Sequence, residues 1–253
     1  MNKLLTSLLA ILSGLFSAHA LQVETEIDGT PLIVFLPDSA AAEKAVLILP
    51  GGGYSHLAMQ HEGTDWASWF TDRGVAAAVL SYPMPEGDSS KPIGAVKKAL
   101  AYMRSQYPDA KLGIMGSSAG GHLASTAATH LLAGERPAFQ ILFYPVISMD
   151  STLTHPGSRR NLLGENPAVQ TVTDFSNDTR VDASTPPAFI ALSGDDKAVP
   201  PANSIRYYSA LQSLGIPGSL HVYPTGGHGW GFRPKFKYHT QMLNELERWL
   251  ETL

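Results

Sequence analysis

The stretch GIMGSSAGGHLAS, residues 113–125, sets two serines among glycines. The apolar run from Lys111 to Gly116 reads as a strand and Ala119 to Leu132 as a helix, so the glycine-bounded turn is the whole connection. Gly-x-Ser-x-Gly in a strand-turn-helix setting makes a sharp elbow that pushes its central serine, Ser118, out as a nucleophile. Gly116 and Gly120 are small because strand and helix pass close beside it. Centring the motif on Ser117 would require glycines where Met115 and Ala119 stand, so Ser117 is read as structural.

Outward from the elbow, short apolar runs alternate with helical patterns. The runs are 45–50, 75–82, 111–116, 139–146, 188–194 and 219–224, nearly continuous rather than alternating, as expected of strands covered on both faces. Ahead of them, VETEIDGTPLIVFLP reads as a β-hairpin turning at Asp28-Gly29. Helices fit residues 64–72, 92–107, 119–132, 202–214 and 238–250; in the second, Ile93, Val96, Leu100 and Met103 form one apolar face. The alternation predicts an α/β fold with a mainly parallel, doubly wound sheet of roughly eight strands. Residues 148–187 break the rhythm with Thr, Ser, Asn, Asp and Pro, and read as a small cap containing one short helical turn at SRRNLLGENP. The Asn177-Asp178-Thr179 sequon inside it is read as chance.

The chain has 253 residues, 44% hydrophobic and 16% charged, with net charge −4, which suits one sizeable domain. Its cations are scattered, so nucleic-acid or anionic-membrane binding is not indicated. Residues 1–20 combine Lys3, an apolar core from Leu4 to Phe16, and Ala18-His19-Ala20. This is the pattern of a secretory signal peptide, too short for a membrane span of about 20 apolar residues. Residues 21–253 are then the exported domain, secreted or periplasmic, with no membrane partner after cleavage. Cysteine is absent, which removes disulfides and a thiol nucleophile.

A serine hydroxyl needs a base, and the base an acid that fixes its tautomer. On such scaffolds the three follow in the order serine, acid, histidine, on loops after later strands. His228, in TGGHGW after the last run, is the candidate base; Asp196, in SGDDKAVP after the preceding run, is the candidate acid, with Asp195 read as ending the strand or capping the next helix. His122, one turn from Ser118, reads as packing. The remaining histidines show no ligand spacing, so neither a metal site nor any cofactor is indicated. PGGGY places Gly52 and Gly53 after an early strand, where their amides, with that of Ala119, would form an oxyanion hole. Tyr54, Tyr82, Trp230 and Phe232 are candidate sugar-stacking residues, with Tyr54 and Trp230 favoured as substrate contacts.

These motifs, together with HEGTDWASWF, AAAVLSYPMP, YPVISM, SRRNLLG and TPPAFIALSGDDKAVPPANS, resemble the α/β-hydrolase superfamily. Within it they look like the secreted carbohydrate-esterase group of acetyl xylan esterases and feruloyl-esterase relatives. The resemblance implies a serine esterase that removes O-acetyl groups from xylan or other plant polysaccharide fragments, its partner being a small-molecule or oligosaccharide ester. Alternatives are a feruloyl or other acyl esterase, a small serine peptidase of the prolyl-oligopeptidase type lacking the usual gating domain, and a non-enzymatic binding protein on the same fold. A dienelactone-type hydrolase would need cysteine, and a haloalkane dehalogenase aspartate at position 118. One departure is Ser193-Gly194-Asp195-Asp196, where relatives often carry a histidine first. The sequence assigns no oligomeric state.

Overall fold

A computed structural model describes residues 21–38 and 42–253. Residues 1–20, read above as a signal peptide, therefore lie outside the described residues. Eight strands, β1 (Leu21–Ile27), β2 (Thr30–Leu36), β3 (Lys44–Leu49), β4 (Ala76–Leu80), β5 (Lys111–Ser117), β6 (Gln140–Phe143), β7 (Ala188–Ser193) and β8 (Gly218–Tyr223), form one sheet in the order β1-β2-β4-β3-β5-β6-β7-β8. β1 and β2 pair antiparallel, as do β2 and β4; every later pairing is parallel. The hairpin turns at Asp28 and Gly29, both at positive φ (49° and 78°), the backbone that Asp-Gly favours.

The continuous apolar runs have a simple origin. Along β3, Ala45, Leu47 and Leu49 face one layer while Val46 and Ile48 face the other. On the first face pack α2 (Ser90–Gln106), α3 (Ala119–His130) and α6 (Ala202–Ser213), through Val96, Leu123 and Tyr207. On the second lie α1 (Asp65–Thr71) and α7 (His239–Glu251), through Trp66, Met242 and Leu246, with Trp66 stacked on Phe143 at 4.6 Å. Strands covered on both sides have no polar face to alternate with.

The segment between β6 and β7 is more helical than its composition suggests: it holds α4 (Pro156–Leu163) and α5 (Val169–Asp174). The start of α4 was hidden because its cap is a histidine. His155 Nδ1 accepts from the Ser158 amide, with Pro156 at the first helical position. The buried Asn177 donates to the His122 carbonyl, to Ser125 and to Thr126, so the sequon is a packing residue.

Because β3 leads first to β4 on one side and then to β5 on the other, a crevice opens between the carboxyl ends of β3 and β5, where such sheets bind ligands.

Candidate active site

Ser118 stands at the end of β5 with φ 52° and ψ −119°, a conformation that residues with side chains rarely adopt. Its amide donates to the Phe143 carbonyl, and its own carbonyl accepts from His122 and Val146 amides, so neighbouring strand and helix over-determine it. The flanking glycines are required by space: a Cβ on Gly116 would lie 2.1 Å from the Gly120 carbonyl oxygen, and one on Gly120 2.1 Å from that of Leu49. Ser117 is fully buried, facing away from solvent.

His228 follows β8, and its Nε2 lies 2.8 Å from Ser118 Oγ. Its Nδ1 lies 2.7 Å from Asp196 Oδ2. A carboxylate can only accept, so Nδ1 carries the proton and Nε2 presents a lone pair to the serine hydroxyl. The other Asp196 oxygen accepts from the Ala198 and Val199 amides, both at 2.9 Å, which fixes the carboxylate. Asp195 caps no helix, correcting one expectation: α6 starts after Pro201 without a side-chain cap. Its Oδ1 accepts from the Gly227 amide at 2.8 Å instead, tying the acid loop to the histidine loop. His122 packs as expected. Its Nε2 donates to the Phe175 carbonyl at 2.9 Å, so its Nδ1 accepts from Tyr54 Oη.

A cleft of about 580 Å³ opens above Ser118, lined by Gly52, Gly53, Glu62, His155, Asn161 and His228 among others. The amides of Gly52, Gly53 and Ala119 donate to no protein acceptor among the described residues. Ala119 opens α3, whose first amides have no intrahelical partner.

The aromatic expectation fails for the catalytic cleft, which none of Tyr54, Tyr82, Trp230 and Phe232 lines. Tyr54 is 1% exposed, its hydroxyl bonded to His122 and its ring edge-on to Tyr82, which is as buried and donates to the Pro50 carbonyl. Trp230 is 5% exposed, stacked on Phe236 at 4.2 Å, its indole N–H given to Ser193 Oγ. Phe232 packs edge-on against Trp66. Large rings beside glycine-rich loops fill the space those glycines leave, and the cleft wall is made of glycines, histidines and other polar or charged side chains instead. Ser193, the departure from the usual histidine, is thus the fully buried acceptor that seats Trp230 beneath the His228 loop.

Three groups went unread in the sequence. Glu62, 3% exposed, sits in a π-helical turn, Gln60–Thr64, of the kind that recurs at functional sites. One of its oxygens accepts from the Gly51 amide and the other from Tyr144 Oη, both at 2.8 Å; Tyr144 Oη accepts in turn from the Gly231 amide. Burial, with Glu62 alongside, pushes the Tyr144 phenol well above its usual range, so it remains a neutral donor. From the cap, Asn161 donates to the Gly53 carbonyl at 2.8 Å. His155, whose Nδ1 is occupied by Ser158, keeps its remaining ring proton on Nε2; burial first, with the neighbouring His228 imidazole adding to it, holds it below the usual histidine range.

The family model for the prolyl oligopeptidase family matches residues 91–252, which include Ser118, Asp196 and His228. The chain belongs to that family of α/β-hydrolases. An acetylxylan esterase of Xylanibacter ruminicola is 40% identical over 232 residues, covering 88% of this chain and 48% of the relative. Endo-1,4-beta-xylanase B of Butyrivibrio fibrisolvens is 36% identical over 219 residues, covering 78% and 34%. The chain thus spans half or less of the length of these two relatives. Among solved structures, the acetyl ester-xyloside bifunctional hydrolase of Caldicellulosiruptor lactoaceticus superposes with a TM-score of 0.84 at 34% identity, covering 88% of each chain. The family member described here therefore has the α/β-hydrolase fold along nearly its whole described length.

Proposed function

We propose that this chain is a serine carboxylic ester hydrolase that removes O-acetyl groups from xylan or related plant polysaccharide fragments. The observation that carries the reading is the continuous hydrogen-bonded line from Asp196 through His228 to Ser118 Oγ at the floor of an open cleft. The names of the acetylxylan esterase and acetyl ester-xyloside hydrolase relatives support the acyl group and the sugar. In this reading His228 Nε2 takes the Ser118 proton as Oγ attacks the acetyl carbonyl carbon. The Gly53 and Ala119 amides hold the oxyanion, with Gly52 shaping the loop. The C–O bond to the sugar then breaks, and His228 returns the proton to the departing alcohol. Water, deprotonated by His228, next cleaves the acetyl-Ser118 ester, releasing acetate and restoring the hydroxyl. His155 offers its Nε2–H to the alcohol, and Asn161 holds the Gly53 turn.

The test is a hydrolysis panel of acetylated xylan, acetylated oligosaccharides, a feruloyl ester and a peptide ester, run with wild type and Ser118→Ala. Acetylated saccharides should be turned over fastest, with a loss of about 10³-fold or more in the variant at unchanged fold. Faster cleavage of the feruloyl or peptide ester would overturn the acetyl assignment.

We further propose export through residues 1–20. Support comes from the Lys3, apolar-core and Ala18-His19-Ala20 pattern. N-terminal sequencing of the exported protein should begin at Leu21; retention of residues 1–20 would count against it.

A further inference from the structure

The loop from Gly229 to Lys237 carries three cations that the esterase chemistry does not use. Arg233, Lys235 and Lys237 lie within five residues of one another, in a chain whose net charge is −4. Together with Trp230 and Phe236 they wall a second cavity, of about 360 Å³, whose remaining boundary includes His228 and to which no acidic side chain contributes. Among the described residues, none of the three has a carboxylate within 4.0 Å; every Lys or Arg ion pair uses other cations. Two of them are held in place. Arg233 donates through Nη1 to the Gly229 carbonyl at 2.9 Å, and the Lys237 ammonium lies 5.5 Å from the centre of the Tyr238 ring. Lys235 and Lys237 are exposed, while the stacked rings of Trp230 and Phe236 give the shelf a rigid back.

The shelf also communicates with the catalytic cleft. His61, on the cleft wall, receives the Phe232 amide on its carbonyl at 2.7 Å. Its imidazole is held below the usual histidine range by burial first, against the opposing pull of Glu62, with the Arg233 charge adding to the depression. The guanidinium field thus reaches the cleft. The neighbouring carboxylates, Asp195 and Asp196, are engaged with Gly227 and His228 and do not line the cavity.

We propose that this shelf is an anion subsite that receives a carboxylate on the alcohol side of the ester, so that the favoured substrates are acetylated saccharides bearing an acidic sugar. The inference rests on the esterase reading: the departing alcohol must lie beside His228, which protonates it, and that residue lines both the catalytic cleft and the shelf. Unpaired cations at the rim of a cleft raise the local concentration of anionic ligands and steer them, an effect that salt suppresses over about 10 Å at 0.1 M.

The experiment compares kcat/KM for a neutral acetylated xylo-oligosaccharide with that for the same oligosaccharide carrying one uronic acid, at low and high salt. Wild type should favour the acidic ester, with a ratio that falls toward one as salt rises. In Lys235→Gln/Lys237→Gln the ratio should drop by about 1.4- to 5-fold per cation removed, the range for exposed ion pairs, and Lys235→Arg/Lys237→Arg should retain it. A wild-type ratio of one at low salt overturns the proposal, as does a ratio unmoved by the double Gln variant. Binding of the deacetylated acidic and neutral oligosaccharides to Ser118→Ala is measured calorimetrically in parallel. If neither ester is hydrolysed, the esterase reading has failed, and this binding difference still decides the subsite: tighter acidic binding supports it, and equal binding overturns it.

Discussion

The Asp196 carboxylate meets three donors with two oxygens: His228 on one, the Ala198 and Val199 amides on the other. Replacing it by asparagine keeps the shape but leaves no anion to hold the Nδ1–H tautomer or to stabilise the imidazolium. Asp196→Asn should therefore lower kcat by about 10⁴ with little change in KM. Asp195→Asn retains an oxygen for the Gly227 amide, so its rate should stay within about twofold, the equivalent of about 0.5 kcal/mol. Steady-state kinetics on one acetyl ester separates the two, and the reverse ranking would exchange their roles. The order serine, acid, histidine was legible because each follows an apolar run that could only be a strand. What Asp195 does was not: its partner lies 32 residues away, on a loop whose approach no local pattern encodes.

At the scale of elements, the π-helical turn before α1 is the piece that joins the catalytic loops. Within it Glu62 bridges the Gly51 amide of the oxyanion loop and, through Tyr144, the Gly231 amide of the histidine loop. A buried carboxylate with both oxygens satisfied is costly to alter, because an unpaired partner forfeits its hydration as well as its bond. Glu62→Gln presents one acceptor and one amide group to two donors. It should cost about 1–3 kcal/mol of stability and lower kcat by displacing Gly51; a thermal midpoint and a kcat both at the wild-type level would show that the bridge is dispensable. The strands and the five helices read from the sequence formed where apolar periodicity placed them. In the cap the helical turn at SRRNLLGENP was read, but the start of α4 was not, because His155 is not among the residues that usually begin helices, and α5 went unread. Glu62 escaped because a lone acid near a helix start resembles a solvated one. Aromatics misled for the converse reason: Tyr54 and Trp230 flank the catalytic glycines in sequence, yet fill the volume those glycines vacate.

For the molecule as a whole, histidine burial sets the acid limit of stability. His122 is pushed down to about 4 by burial, and His61, His130, His155, His221 and His239 are shifted in the same direction with burial as the leading cause. Unfolded, each takes up a proton near pH 6.5. Between about 6.5 and 4 the unfolded chain therefore holds more protons than the folded one, and stability rises with pH through that window. Asp182, drawn down to about 2 chiefly by its hydrogen bond to Arg136, adds a loss of the same sign at lower pH. The thermal midpoint should fall steadily from pH 7 to pH 4.5, with proton uptake on unfolding measurable by calorimetry; a flat midpoint would contradict it. The carboxyl-end crevice has a consequence for how activity arises in time. Its groups come from the ends of β3, β5, β7 and β8, and Ser118 meets His228 across 110 residues of chain. Distant pairings close late in folding, after local helices. A refolding chain should recover its helical signal first and its hydrolytic rate last, which makes turnover a clock for the final closure of the sheet.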